Sequence, residues 1–289
     1  MTTLPDLPIL TGVDGSESAL AAVRWAAHEA QALRAPLRIV TVFGWVPTPD
    51  LEDPFRSSPA AWDSLRDQAQ QTLDAAAAEA RRVAPDVTLT TELLVGAPAD
   101  TIVSGSAIAR LLVVGHRGVG GFGALVLGSV GSAAAAHAAC PVVVVRGEPA
   151  APDGPVVVGV DGSRLSEAAL AFAIDAAVRR GTSLVAVHAW QDNANPRVAA
   201  LIDWKAVAAE QAAVLAERLA GWQEKHPDLT IVRRVVRDSP AHELTALSEE
   251  AQLVVVGSRG RGGFAGLLLG SGSQALPRHA ACPVAVVRE

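Results

Sequence analysis

The chain has 289 residues, half of them apolar and 19% charged, with a net charge of −6. That composition excludes disorder along the whole chain, and the length suggests about two domains. A mildly acidic protein has no global electrostatic reason to hold nucleic acid or an anionic membrane, and no run of Lys or Arg reverses this. Two cysteines, Cys140 and Cys282, are too few for a disulfide scaffold or a four-thiolate zinc site and read as small buried hydrophobes. The opening Met1-Thr2-Thr3-Leu4-Pro5-Asp6 has neither a basic stretch nor an apolar run, so no signal peptide and a cytoplasmic location are expected.

In chain order, Ile9 to Val13 predicts a short strand and Ser16 to Leu33 a helix, with Leu20, Val23, Trp25 and Ala27 at helical spacing and Ser16 as N-cap. Leu37 to Phe43 predicts a second strand. Pro47 to Pro59 predicts a loop, either a lid or plain surface. Trp62 to Val83 predicts a long helix, and Val87 to Val95 a third strand. Pro98 opens a helix, where proline suits the first turn. Leu111 to Val114 predicts a fourth strand, followed by a glycine loop, a helix from Ser129 and a last strand, Val142 to Val145. From Gly118 to Val145 no side chain is charged, but the glycines and Cys140-Pro141 interrupt that stretch, so no membrane span is expected.

The same order then recurs. Gly115 to Ser129 and Gly257 to Ser271 share ten of fifteen residues at an offset of 142, and His137 to Arg146 and His279 to Arg288 share nine of ten. Trp62 and Trp204 keep that offset, which suggests packing roles. Val13-Asp14-Gly15-Ser16 answers Val160-Asp161-Gly162-Ser163 at 147, so the first copy holds five extra residues before Trp62. Residues 147–155, rich in Gly and Pro, form a short linker, giving domains 1–147 and 154–289. Strands alternating with helices, the strands being near-continuous apolar runs, predict α/β architecture: two tandem doubly wound parallel-sheet domains that bind ligands where strand order reverses.

The chemistry lies after strand four. Gly115, Gly118, Gly128 and Ser129 give Gly-x2-Gly-x9-Gly-Ser, and Gly257, Gly260, Gly270 and Ser271 repeat it. Glycine permits close backbone approach, successive N–H groups can cradle an anion, and the helix opening at Gly-Ser favours phosphate. The Ser hydroxyl can donate to phosphate or serve as N-cap. No Gly-Lys-Ser/Thr is present, so this is not a Walker loop.

With these motifs, Val-Asp-Gly-Ser after strand one and Cys-Pro-Val before the last strand, the chain resembles the universal stress protein family, in particular tandem-domain members of its ATP-binding branch. The resemblance implies five-stranded domains of order 3-2-1-4-5, each binding ATP, with Mg²⁺ able to accompany the phosphates. It places Asp14 and Asp161 at the adenosine end, in the segments Gly12-Val13-Asp14 and Gly159-Val160-Asp161, whose glycines admit the base. Val42 and Val187 would offer backbone hydrogen bonds to adenine. The loop glycines, with Ser129 and Ser271, would hold the phosphates, followed by Val130 in copy one and Gly272 in copy two. Pro277 where copy one has Ala135, and Val236-Arg237-Asp238-Ser239-Pro240 where it has Val95-Gly96-Ala97-Pro98, set the second site apart.

Arg117 and Arg259 sit inside the loops and suit either phosphate or a plain exposed position. His137 and His279 suit helix-end capping, and Asp14 and Asp161 are also good turn residues. The function expected is a stress-response or regulatory protein acting through nucleotide-dependent conformation or partner choice. A slow ATP hydrolase, with His116 or Asp238 positioning water, and a ligand-free scaffold are the alternatives. The apolar last strands suggest that the two repeats pair with each other and that chains form a homo-oligomer, with no nucleic-acid or membrane partner.

Overall fold

A computed structural model of the chain describes residues 7–43, 59–118, 127–146, 151–190, 202–258 and 276–288. The chain folds as two units, Met1–Gly147 and Glu148–Glu289, each built around five parallel strands. Of the loop expected from Pro47 to Pro59, residues 47–58 lie outside the described residues, and Pro59 opens a helix instead.

In the first unit, β1 (Ile9–Gly12), β2 (Leu37–Phe43), β3 (Leu89–Val95), β4 (Leu111–Gly115) and β5 (Val142–Val145) pair in parallel in the order β3-β2-β1-β4-β5. The expected α/β fold and strand order are thus found. Central strands are valine- and leucine-rich because both faces are covered. α1 (Glu17–Leu33) starts at Ser16, whose Oγ accepts from the Ala19 N–H at 3.2 Å. It buries Ala19, Ala22, Val23, Ala26, Ala27 and Ala30 at helical spacing, small side chains that let it lie close to the sheet. Arg34 closes it at φ 51°, left-handed. α2 (Pro59–Val83) begins three residues before Trp62, because proline is preorganised for a first turn. α3 (Pro98–Gly105) and α4 (Ser129–His137) follow. Right-handed crossovers put α1 and α2 on one face and, after the reversal, α3 and α4 on the other. There Leu10, Val40, Ile102, Leu112, Val114, Leu127, Ala134 and Val144 form a core.

The second unit repeats this with β6 (Val156–Gly159), β7 (Leu184–Ala189), β8 (Ile231–Val236), β9 (Leu253–Gly257) and β10 (Val284–Val287), in the parallel order β8-β7-β6-β9-β10. Among the described residues its helices are α5 (Arg164–Arg180), α6 (Trp204–Lys225), α7 (Pro240–Leu247) and a helical turn over 276–279 that contains Pro277. Leu37 pairs Ile9 as Leu184 pairs Val156, and Leu89 pairs Leu37 as Ile231 pairs Leu184. The offset of 147 therefore holds through the second strand, and 142 applies from the third onward. Arg237 answers Val95 and Asp238 answers Gly96, without an inserted residue. Cys140 and Cys282 are both buried and reduced. Among the described residues no helix is long and apolar enough to cross a membrane.

Candidate functional site

The order reversal parts the chain at the carboxyl ends of β1 and β4, and there the first unit holds a cavity of about 550 Å³. That is an ordinary size for a small-molecule site. β1 ends as the Val13 N–H bonds the Val40 carbonyl at 2.8 Å. The chain then turns through Asp14-Gly15-Ser16 into α1. Gly15 takes φ 86°, and the Ser16 N–H donates to Asp14 Oδ1 at 3.0 Å. The turn role foreseen for Asp14 is therefore real, and its second oxygen, Oδ2, packs against Gly118, where a Cβ would fall 2.3 Å away.

The glycine loop is pinched shut at its base. The His116 N–H bonds the Val145 carbonyl at 2.9 Å, and the Gly128 N–H bonds the His116 carbonyl at 2.8 Å. Gly115 is required by packing, since a Cβ there would meet the Ser18 carbonyl oxygen at 2.6 Å. Gly128 is the N-cap of α4 and offers no side chain, so Ser129 is the first helical residue and not the cap. Gly128, Ser129, Val130 and Gly131 all line the cavity, so the N-terminal turn of α4, with its partial positive charge, forms part of the wall.

The rest of the lining is largely apolar, with Ala19, Val40, Val42, Ile102, Val114 and Leu127. Backbone polar groups alternate sides along a strand. Val40 faces β1 and bonds Val13, so Val42, two residues on, presents its N–H and C=O to the same side, past the end of β1. The cavity thus combines apolar side chains and the Val42 peptide edge with the glycine loop, the first turn of α4 and a cation.

That cation is Arg117. Its N–H donates to Ser18 Oγ at 3.3 Å, its carbonyl accepts from the Ser16 hydroxyl at 3.4 Å, and its Nε–H donates to His116 Nε2 at 3.0 Å. An arginine only donates, so His116 Nε2 is the acceptor, and the neutral ring carries its proton on Nδ1, 2.9 Å from Ser18 Oγ. Burial, then the Arg146 and Arg117 charges, hold the His116 pKa below its ordinary value, which keeps the ring neutral.

Family comparison decides what kind of protein carries this cavity. A sequence model of the universal stress protein family matches residues 7–146 and again 154–288. The chain belongs to the universal stress protein family. It is 44% identical to the universal stress protein Rv2623 of Mycobacterium tuberculosis over 98% of this chain and 97% of that one. It is 41% identical to a universal stress protein of Mycolicibacterium smegmatis, covering 97% and 96%. The crystal structure of a universal stress protein from Archaeoglobus fulgidus matches with a TM-score of 0.72 over 97% of this chain and 98% of that one, at 20% identity, a likeness of fold.

The residues singled out in the first repeat of this universal stress protein, Gly12, Val13, Asp14, Val42, Gly115, Arg117, Gly118, Gly128, Ser129 and Val130, all line the one cavity. In the second repeat the structure describes Gly159, Val160, Asp161, Val187 and Gly257, while Arg259, Gly260, Gly270, Ser271 and Gly272 lie outside the described residues. The Asp161 turn matches the first: the Ser163 N–H donates to Asp161 Oδ1 at 2.9 Å, and Gly162 has φ 80°. Val187 requires a correction. It answers Val40 and not Val42, and its carbonyl is taken by the Val160 N–H at 2.8 Å. The counterpart of Val42 is Ala189, which pairs Val236 as Val42 pairs Leu94. Arg237 turns onto the Trp204 ring, 3.7 Å from its centroid, beside the Trp190–Trp204 stack. Asp238 bonds His242. The packing role expected of Trp204 is seen; the Trp62 side chain lies outside the described residues. His137 ends α4 as expected.

Sequence reasoning missed the greasy half of the site. Val40 and Val114 could have been found by counting in twos from the strand ends, and Ile102 by its place one turn after Pro98. The contact of Ser18 with His116 spans 98 residues and leaves no trace in local sequence.

Proposed function

We propose that the first repeat binds an adenine nucleotide, ATP foremost, and that binding changes which conformation or partner the protein favours. The cavity carries this reading: about 550 Å³, lined by apolar side chains near the Val42 peptide edge and by Gly118 and the first turn of α4. The apolar lining, with Val42 offering both a donor and an acceptor, suits adenine. The glycine loop and the first turn of α4 suit phosphates without requiring a positive protein, which is how an acidic chain could hold a polyanion. Asp14 is the carboxylate of the described lining and would be the protein's contribution toward a phosphate-bound Mg²⁺. The same reading gives the second repeat a related site around Asp161 and Gly257. It also has the repeats pair through their last apolar strands, as β-edges invite.

The test is to denature purified protein, identify any released nucleotide by mass, and titrate the emptied protein with ATP. Bound adenine nucleotide is expected, and Gly118→Val, whose side chain would displace the Asp14 carboxylate, should weaken ATP by about tenfold or more in the first repeat. Unchanged ATP binding by Gly118→Val would remove the nucleotide reading. ADP accumulating with purified protein would instead support hydrolysis.

A further inference from the structure

The glycine loop of the first repeat carries a device whose residues the second does not repeat. Ser18, on the first turn of α1, accepts from the Arg117 backbone N–H and lies 2.9 Å from His116 Nδ1. His116 Nε2 accepts from Arg117 Nε–H at 3.0 Å. Arg117 is thereby fixed at both its backbone and the root of its guanidinium, while the residue lines the cavity beside Gly118 and Gly128. In the second repeat the matching positions are Leu165 and Ser258, which offer neither the hydroxyl on the helix nor the imidazole on the loop.

We propose that Ser18 and His116 are positioning residues that hold Arg117 ready for the terminal phosphates, so that the first repeat selects nucleoside triphosphate over monophosphate. The proposal rests on the nucleotide reading above and deepens it. A guanidinium that is free to rotate must lose rotamer freedom when it meets a phosphate, whereas one clamped at Nε has already lost it. The terminal nitrogens lie distal to the clamped Nε, and their forked donors match phosphate oxygens. The residue that touches ligand is Arg117; His116 and Ser18 act through it.

The experiment titrates the full chain with ATP and with AMP, comparing wild type, His116→Ala, His116→Gln, Ser18→Ala, Arg117→Ala and the Arg117→Ala/His116→Ala pair. Arg117→Ala and His116→Ala should each weaken ATP about three- to tenfold, the scale of one charge-assisted hydrogen bond, and leave AMP unchanged. His116→Gln places an amide oxygen where Nε2 stood and should restore most of the ATP affinity. Once Arg117 is gone, removing His116 should cost nothing further. Equal losses for ATP and AMP, or a full His116→Ala effect in the Arg117→Ala background, would overturn the proposal in favour of general damage to the loop. Wild-type ATP affinity in both Arg117→Ala and His116→Ala would overturn it while leaving the nucleotide site standing. A wild-type protein that binds neither ATP nor AMP would instead bring down the reading beneath it.

Discussion

Replacing Gly115 by alanine tests whether the glycine loop and α1 form one mechanical unit. The new Cβ would lie 2.6 Å from both the Ser18 carbonyl oxygen and its Oγ, and 2.7 Å from the Ser18 carbonyl carbon. Ordinary contact begins at 3.4 Å, so β4 and the first turn of α1 must part by about 0.8 Å. Two of the three atoms are backbone and cannot swing aside. Overpacking of this kind costs about 1–3 kcal/mol, and a domain of this size loses about 2–4 °C of melting temperature per kcal/mol. The same turn carries Ser16 and Ser18, whose hydroxyls hold the Arg117 backbone, so ATP affinity should fall together with stability. Calorimetric melting and ATP titration of Gly115→Ala check both. Gly118→Ala is the contrast: its Cβ meets only the end of the Asp14 side chain, which can rotate, so affinity should fall with little loss of melting temperature. A Gly115→Ala protein melting within about 1 °C of wild type would refute the packing argument.

Three other outcomes are expected. Gly221 lies exposed inside α6 with nothing within 4 Å of a Cβ, so Gly221→Ala should add about 0.5–1 kcal/mol, read as a higher melting temperature; a lower one would contradict the helix assignment. Hydrogen bonds from Arg82 foremost, and from Arg24, hold the Glu79 carboxyl at about 2 against an ordinary 4.5. A lowered carboxylate stabilises the native state fully above pH 4.5 and loses that contribution as pH falls toward 2. Glu79→Gln should therefore melt lower at pH 7 and lose less between pH 4.5 and 2, and parallel melting-versus-pH curves would rule this out. Burial pushes the Cys282 thiol up to about 12 and leaves Cys140 enclosed as well, so a thiol reagent should label neither until the protein unfolds. Prompt labelling of native protein would show that the strand entrances open.

The parts of the fold that follow local rules were legible in the sequence. Ser16 and Ser163 cap α1 and α5 because a hydroxyl before a helix satisfies a free N–H, and Pro98 and Pro240 open α3 and α7 because proline needs no donor there. The four-residue valine strand β5 was bounded correctly by Pro141 and the charged Arg146. Val187 was misplaced for an equally physical reason. Both second strands alternate valines, Val40 and Val42 in one and Val185 and Val187 in the other, and a slip of two residues returns every side chain to the same face. Only the hydrogen-bond register distinguishes the two alignments. The clamp on Arg117 was invisible because it joins residues on different elements, where a single sequence carries no pairing signal.

The differences between the repeats share one direction. Both need the Asp-Gly-Ser turn held and the carbonyl of the preceding valine satisfied. The first repeat satisfies Val13 with the Thr41 hydroxyl at 2.7 Å, and the second satisfies Val160 with His188 Nδ1 at 2.7 Å, with the far side of the ring on Gln211. The first ties its turn to the glycine loop through Ser16 and Ser18. Among the described residues the second ties its turn to itself: Ser166 accepts from the Gly162 N–H at 3.0 Å and donates to the Ser163 carbonyl at 2.9 Å. A ligand moves a protein only by binding one arrangement better than another, and what it moves is whatever its loop is fastened to. Nucleotide on the first repeat's loop would therefore bear directly on the start of α1. On the second, the turn before α5 already has its own hydroxyl and imidazole partners, so the same ligand has less to reorganise.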